Sequence, residues 1–210
     1  MGLDRRTLDD YRIMMADSVR MAAYEQAIAA TCADRVVCEI GVGLGPLSLM
    51  ALKAGASRVY GIELNRDSLA LATRIIRAHG FDEDRFIPIH GLSTEVTLPE
   101  RVDVLLSETL DSIGIGENTA VYMEDARRRL LAPGGCFVPA TLECSVALAS
   151  PQSYASGRAF WTETMPESYG LDYRLAAERF RDVKHTIPVD TSECFSDWVS
   201  WQKIDVMDPA

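Results

Sequence analysis

The fold turns on one stretch, VVCEIGVGLGPLSLMALKAG, residues 36–55. Its opening run of apolar, β-branched residues reads as a buried strand, closed by a carboxylate at Glu39. Gly41, Gly43 and Gly45 follow at alternate positions. Pro46 suits the first turn of a helix, and Gly55 lies where that helix would stop. Glycines at such a strand-to-helix turn let the chain bend sharply and let a ligand reach the main chain with no Cβ in the way. A dinucleotide fingerprint needs its third glycine one residue later, and a P-loop needs Gly-Lys-Ser/Thr, which this sequence lacks. The loop therefore belongs to some other strand–glycine–helix site.

The same texture recurs outward from that stretch. Apolar runs at RVYGIE (58–63), RFIPIHG (85–91), VDVLLSE (102–108) and GCFVPA (135–140) alternate with helical segments near 46–54, 67–79 and 119–131. Alternation of this kind predicts an α/β fold, Rossmann-like and doubly wound, with a mainly parallel sheet covered on both faces. Ligands of such sheets sit beyond the carboxyl ends of the strands. Glu39, Glu63, Ser93 and Glu108 all fall at those ends. Upstream, Tyr11, Met14, Met15, Val19, Ala22, Ala23 and Ala27 recur at helical spacing and predict a helix over 4–30. Past Pro139 the pattern changes: TLECSVALAS (141–150) alternates like a half-buried strand, and FWTETMPESYGLDY (160–173) is aromatic and irregular. The tail, from TIPVD to WVSWQKIDVMD, reads as strand-like pieces. The expected organisation is a ligand-binding domain over 1–139 and a short β-rich extension over 140–210.

Composition narrows the possible partners. The chain has 210 residues, a formal charge of −10 and no basic stripe with interleaved aromatics. Nucleic acid is therefore an unexpected partner, whereas an acidic surface suits a cationic substrate. No apolar run approaches the roughly 20 residues that span a bilayer, and the N-terminus has no signal-like apolar region. Five scattered cysteines without a CxxC argue against zinc and disulfides and for free thiols in the cytoplasm.

The glycine spacing, with Glu39 just before it, suits the methionine portion of S-adenosylmethionine (SAM). Glu63, one strand–helix unit later, is placed to accept hydrogen bonds from both ribose hydroxyls, with Leu64 beside it. Ser93 or Thr94 would flank the adenine. At the fourth strand end, LLSETLDSIGIGEN (105–118) sets Glu108 and Glu117 around a glycine-bearing turn.

Together these motifs resemble the catalytic core of the protein arginine methyltransferases, class I SAM-dependent enzymes, over roughly residues 10–175. MMADSVRMAAYEQAI (14–28) resembles the family's N-terminal helix, EIGVGLG and GIE its cofactor motifs, STEV its adenine strand and SETLDSIGIGEN its double-glutamate loop. The likeness is nearest to the subgroup that stops at monomethylarginine. It implies that Arg20 binds the SAM carboxylate, that Met14 or Met15 lines the sulfonium side, and that Glu108 and Glu117 form the catalytic pair. Asp111, inside the loop, would restrict the pocket. The pairing makes chemical sense: a guanidinium stays protonated, with a pKa above about 12, and its delocalised nitrogens are poor nucleophiles. Two carboxylates can hold the planar fork, offset its charge and leave one nitrogen facing the methyl group.

The sequence also departs from the family. Its three histidines, His79, His90 and His185, are none of them followed by Trp, so the family's Thr-His-Trp segment is missing. His90 reads as structural rather than as a base. The chain stops near what would be the first strands of the family's C-terminal barrel, as a compact member or a fragment would. The expected activity is methylation of a guanidino nitrogen on a peptide arginine, free arginine or an analogue. The oligomeric state stays open. A methyltransferase of another small-molecule amine and a SAM-binding module without catalysis are the competing readings.

Overall fold

The computed structural model describes residues 4–109, 119–183, 185, 187 and 189–207. Its elements run α1 (Arg5–Ala16), α2 (Ser18–Thr31), β1 (Val36–Ile40), α3 (Pro46–Lys53), β2 (Arg58–Glu63), α4 (Arg66–Ala78), β3 (Phe86–His90), β4 (Val102–Ser107), α5 (Thr119–Arg129), β5 (Leu131–Val138), β6 (Thr141–Val146), α6 (Gln152–Ala159), a π-helical turn (Phe160–Thr164), α7 (Met165–Tyr169), α8 (Arg174–Arg181) and β7 (Val199–Asp205). The chain forms two compact units, residues 1–143 with 203–210, and residues 144–202.

In the first unit β3-β2-β1-β4-β5 make one sheet, parallel throughout. Strand residues alternate between two cores. Val37, Val59, Val104 and Leu106 pack with Ile28, Leu47, Ala51, Ala72 and Ile76 from the helices of one face. Cys38, Ile40, Tyr60, Ile62 and Leu105 pack with Met123, Ala126 and Leu130 on the other. Both faces are covered, which is why these strands read as near-continuous apolar runs. The expected α/β, Rossmann-like sheet is present. Its strand order reverses direction between β1 and β4, and ligands of open α/β sheets bind at such a switch point.

The expected single helix over 4–30 is two helices. Asp17 leaves the helical region (φ −70°, ψ 92°), and its side chain accepts from the Arg20 N–H to cap α2. A cap carboxylate in mid-pattern satisfies a backbone donor that a continuing helix would bond itself.

In the second unit the irregular reading of 160–173 gives way to helix over 160–169 and holds only for 170–173. The π-helical turn and α7 run without a break from Phe160 to Tyr169, where Gly170 takes a left-handed conformation (φ 63°) and stops α7. Ring contacts explain the difference. Trp161 stacks on Tyr173 with centroids 5.9 Å apart, and Tyr154 on Phe180 at 5.4 Å. These partners are distant in sequence and leave no periodic trace. The stretch 140–210 is thus not mainly strand: β6 and β7 pair as a two-stranded sheet, and most of 152–181 is helical. Of TIPVD, residues 187, 189 and 190 are described and lie outside any strand.

All five cysteines are free thiols, with Cys32 and Cys38 buried. Among the described residues no helix is long and apolar enough to cross a membrane, and no cluster of side chains is arranged to hold a metal ion.

Candidate active site

A cavity of about 470 Å³ opens beyond the carboxyl ends of β1, β2 and β4. Its floor is formed by Glu39 to Leu44, with Ile62, Glu63 and Leu64 from β2 and Gly91, Leu92 and Ser93 after β3. Glu108 and Thr109 stand at the end of β4. Tyr11, Met14 and Met15 from α1, Arg20, Met21 and Tyr24 from α2, and Tyr122 from α5 complete the wall.

Two glycines keep this floor thin. Gly41 (φ +79°) and Gly43 (φ +55°) adopt left-handed backbone, and a Cβ would come within 2.7 Å of Thr109 Cγ2 at the first and 2.8 Å of the Tyr11 ring at the second. Gly45 is different. It precedes α3, a Cβ there would meet Ala72 and Ile76 of α4 at 3.2 Å, and it is not part of the cavity wall.

Glu63 is aimed by the main chain. Its Oε2 accepts from the Gly43 N–H at 2.9 Å and its Oε1 from the Asn65 N–H at 2.7 Å. A carboxylate has about four acceptor sites, so each oxygen keeps one for a ligand. Two fixed acceptors side by side match a vicinal diol.

Glu39 lies on the Val37 face of β1, and its hydrogen bonds go to the next helix rather than to the loop. Its carboxylate accepts from the backbone N–H of Ser48 at 2.8 Å and from the Ser48 hydroxyl. Ser48 lies in the first turn of α3, where N–H groups have no intrahelical partner, and Gly45 before the helix has no side chain to offer. A buried strand carboxylate thus caps the next helix. Burial pushes the Glu39 pKa up to about 8; the two Ser48 hydrogen bonds oppose the rise and the Glu63 charge adds to it. The consequence for stability has a definite sign. Between the unfolded value of 4.5 and about 8 the native state holds a proton that the unfolded chain has lost, so this group makes stability fall as pH rises through that window. Below and above the window it contributes no slope. Glu39→Gln is expected to flatten the decline of Tm between pH 5 and 8 relative to the parent chain, read by thermal denaturation across that range. An identical slope in the variant refutes the assignment.

Arg20 faces the cavity from α2. Its Nη1 lies 3.3 Å from Glu108 Oε1 and its Nε 3.5 Å from Asp17 Oδ2. A cation and the first loop carboxylate therefore meet at the mouth of β4. Ser93 is buried in the cavity wall, whereas Thr94 beside it is not part of that wall. Arg129, ion-paired with Asp125 at 2.6 Å, donates to the carbonyls of Ser93 and Val96, each at 2.7 Å, and so sets the 93–96 turn. The His90 ring contacts the Leu64 carbonyl through Nε2 at 3.1 Å, a structural tie between β3 and β2.

Of the residues expected from sequence, Met14, Arg20, Glu39, Gly41, Gly43, Glu63, Leu64, Ser93 and Glu108 share this cavity. Glu117 and Asp111 lie outside the described residues. Thr109 and Thr119 flank that segment, and the Thr119 hydroxyl donates to the Thr109 carbonyl at 2.5 Å. Sequence reasoning missed Tyr11, Met21, Tyr24, Thr109 and Tyr122. Tyr11 was within reach, three and four residues before Met14 and Met15 on the same helical face. Tyr122 carries no comparable signal.

Comparison with known proteins decides the family. No family model matches the chain. The protein arginine N-methyltransferase 1 of Chlamydomonas reinhardtii is 37% identical over 153 residues, 70% of this chain and 44% of its own length. A probable protein arginine N-methyltransferase 6 of Arabidopsis thaliana is 31% identical over 163 residues, 76% of this chain and 36% of its own. The chain belongs to the protein arginine N-methyltransferase family. It spans about a third to a half of the length of the curated relatives it matches. Among solved structures, the PRMT1 enzyme-prozyme heterotetrameric complex with AdoHcy from Trypanosoma brucei superposes with a TM-score of 0.81. That match has 26% identity and covers 93% of this chain and 61% of the other. Protein arginine methyltransferase 10 of Arabidopsis thaliana, at 21% identity and a TM-score of 0.74, shares the fold. The Rossmann-like sheet is thus the class I methyltransferase fold of this family.

Proposed function

We propose that this chain binds SAM in the cavity at the β1–β4 switch point and methylates a guanidino nitrogen of arginine, peptide-bound or free. One observation carries the reading. Arg20, the Glu63 carboxylate with two open acceptor sites, the thin Gly41–Gly43 floor and Glu108 all converge on one cavity. Their chemistry fits the cofactor: a guanidinium for its carboxylate, a fixed carboxylate for its ribose diol, and exposed backbone for its methionine portion. The bound cofactor would supply a methyl group on a positively charged sulfur.

The protein's own part is to handle the second cation. Glu108, with Glu117 as its partner, holds the guanidinium through charge-assisted hydrogen bonds and offsets the charge that would otherwise repel the sulfonium. With the cofactor bound, these residues would present one guanidino nitrogen to that methyl group. The nitrogen then releases a proton to solvent or to a carboxylate. Holding donor and acceptor in line supplies much of the acceleration. In this reading residues 1–139 form the cofactor domain and 140–210 the substrate side, and the protein works in the cytoplasm, where its five thiols stay reduced.

The decisive assay incubates the full chain with SAM and either an arginine-rich peptide, free arginine or a panel of primary amines. Methyl transfer to the guanidines alone supports the proposal. Transfer to amines alone makes this a small-molecule amine methyltransferase. A SAM-induced rise in Tm without any turnover makes it a binding module. Mass spectrometry of the accepted substrate is expected to show a single added methyl even at long incubation, in keeping with Asp111 in the loop. Dimethylated arginine as the major product would overturn that part.

A further inference from the structure

The helix α2 presents two side chains to one peptide step at the end of β4. Arg20 and Tyr24 are four residues apart and so share a helix face. Arg20 meets the Glu108 carboxylate at 3.3 Å, and the Tyr24 hydroxyl donates to the Ser107 carbonyl at 3.0 Å. That carbonyl belongs to the peptide whose nitrogen is Glu108's own. Because the peptide unit is planar, fixing its oxygen fixes the direction in which Glu108 leaves the strand.

The need for such a tie is visible in the sheet. The β1–β4 register ends at Ile40 opposite Ser107, so the ladder stops one residue short of Glu108. Side chains take over there. The Ser107 hydroxyl donates to the Ile40 carbonyl at 3.3 Å and is hydrogen bonded to the Thr109 hydroxyl at 3.0 Å. Thr109 in turn fills the space above Gly41. From the opposite side comes Tyr24, whose ring packs against the core built on Ile28, Val37 and Val104. Its anchored ring and single terminal oxygen make a spacer of fixed length. Burial first, and the Glu108 charge second, hold the phenol well above its ordinary range, so it remains a neutral donor. Arg20 is the group assigned to the cofactor carboxylate, whereas the Tyr24 bond does not depend on what Arg20 binds.

We propose that Tyr24 is a positioning residue for Glu108, setting the first substrate carboxylate through its hydrogen bond to the Ser107 carbonyl. The inference rests on the reading of Glu108 as a guanidinium-gripping group. Tyr24→Phe removes one oxygen and keeps the ring. Amide hydrogen exchange at Glu108 and Thr109 is expected to quicken roughly tenfold once the carbonyl loses its partner. The kcat for an arginine peptide should fall by a similar factor, while the KM for SAM and the SAM-induced Tm shift change by less. Tyr60→Phe serves as the control. It deletes another hydroxyl of the same unit, bonded to Glu100 at 2.8 Å and outside the cavity wall, and should leave exchange at 108–109 and kcat alone.

Unchanged exchange in Tyr24→Phe overturns the proposal. So does raised exchange with unchanged kcat, or a loss of SAM affinity that parallels the loss of kcat, since a loosened fold would give that. If the parent chain methylates no guanidine, the functional reading falls instead. Exchange at Glu108 then decides by itself whether Tyr24 holds that residue.

Discussion

In the proposed SAM site, Glu63→Ala is expected to erase most of the thermal stabilisation that SAM would confer. At a free concentration 100 times Kd, a ligand that binds the native state stabilises it by about 2.7 kcal/mol, or roughly 5–10 °C in Tm for a domain of this size. Each ribose hydroxyl bonded to a carboxylate contributes about 1.5–3 kcal/mol. Losing both acceptors therefore weakens binding by at least two orders of magnitude, at about 1.4 kcal/mol per decade. At the same SAM concentration the shift should shrink to near zero. The ligand-free Tm will also drop, because the Gly43 and Asn65 N–H groups lose their acceptor; the quantity to compare is the shift, not the absolute Tm. Glu63→Gln, which keeps one acceptor oxygen, should fall between. NAD and ATP should move neither the parent nor the variants. A full SAM shift in Glu63→Ala would remove the ribose assignment.

What the sequence disclosed and what it withheld divide along one physical line. Properties with a local period were legible. The strands of the sheet could be read because both of their faces are buried, and Glu39, Glu63 and Glu108 could be placed at their ends because the chain enters each strand at one edge and leaves at the other. Properties set by partners far along the chain were not. The Tyr24–Ser107 hydrogen bond joins residues 83 apart, and a tyrosine in a helix gives no sign of such a partner. The helices of the second unit rest on rings such as Trp161 and Tyr173 meeting across a turn, which a scan for apolar periods reads as irregular. Asp17 shows the intermediate case: the 3.6-residue period runs straight through it, while its carboxylate caps a new helix. Glu39 was expected at the cofactor and does line the cavity, yet its hydrogen bonds go to Ser48. Only coordinates separate those two uses of one carboxylate.

The sharpest consequence of the proposed function concerns Glu108 and Glu117. Glu108→Gln and Glu117→Gln keep the shape of the side chain and remove its charge. An ionised acceptor contributes about 1.5–3 kcal/mol more than nothing in such a contact, and about 1.4 kcal/mol off the barrier is tenfold in rate. Each variant should therefore lose at least tenfold in kcat/KM for an arginine peptide. The loss should exceed that, because a glutamine offers an N–H where the guanidinium needs an acceptor, and a turned guanidinium forfeits in-line geometry as well. For Glu108 the structure adds a second effect. Its side chain is 22% exposed and its Oε1 lies 3.3 Å from Arg20 Nη1, so the Gln variant leaves Arg20 with Asp17 and a weaker second partner, and more of its charge for the cofactor carboxylate proposed to bind there. SAM affinity in Glu108→Gln should thus hold or rise slightly while turnover collapses, which a general loss of folding cannot produce. Glu117→Gln should cost turnover alone. Calorimetric titration with SAM, set beside initial rates on the peptide, separates the two. Undiminished guanidine methylation by the double Gln variant would reduce both carboxylates to a solvated turn.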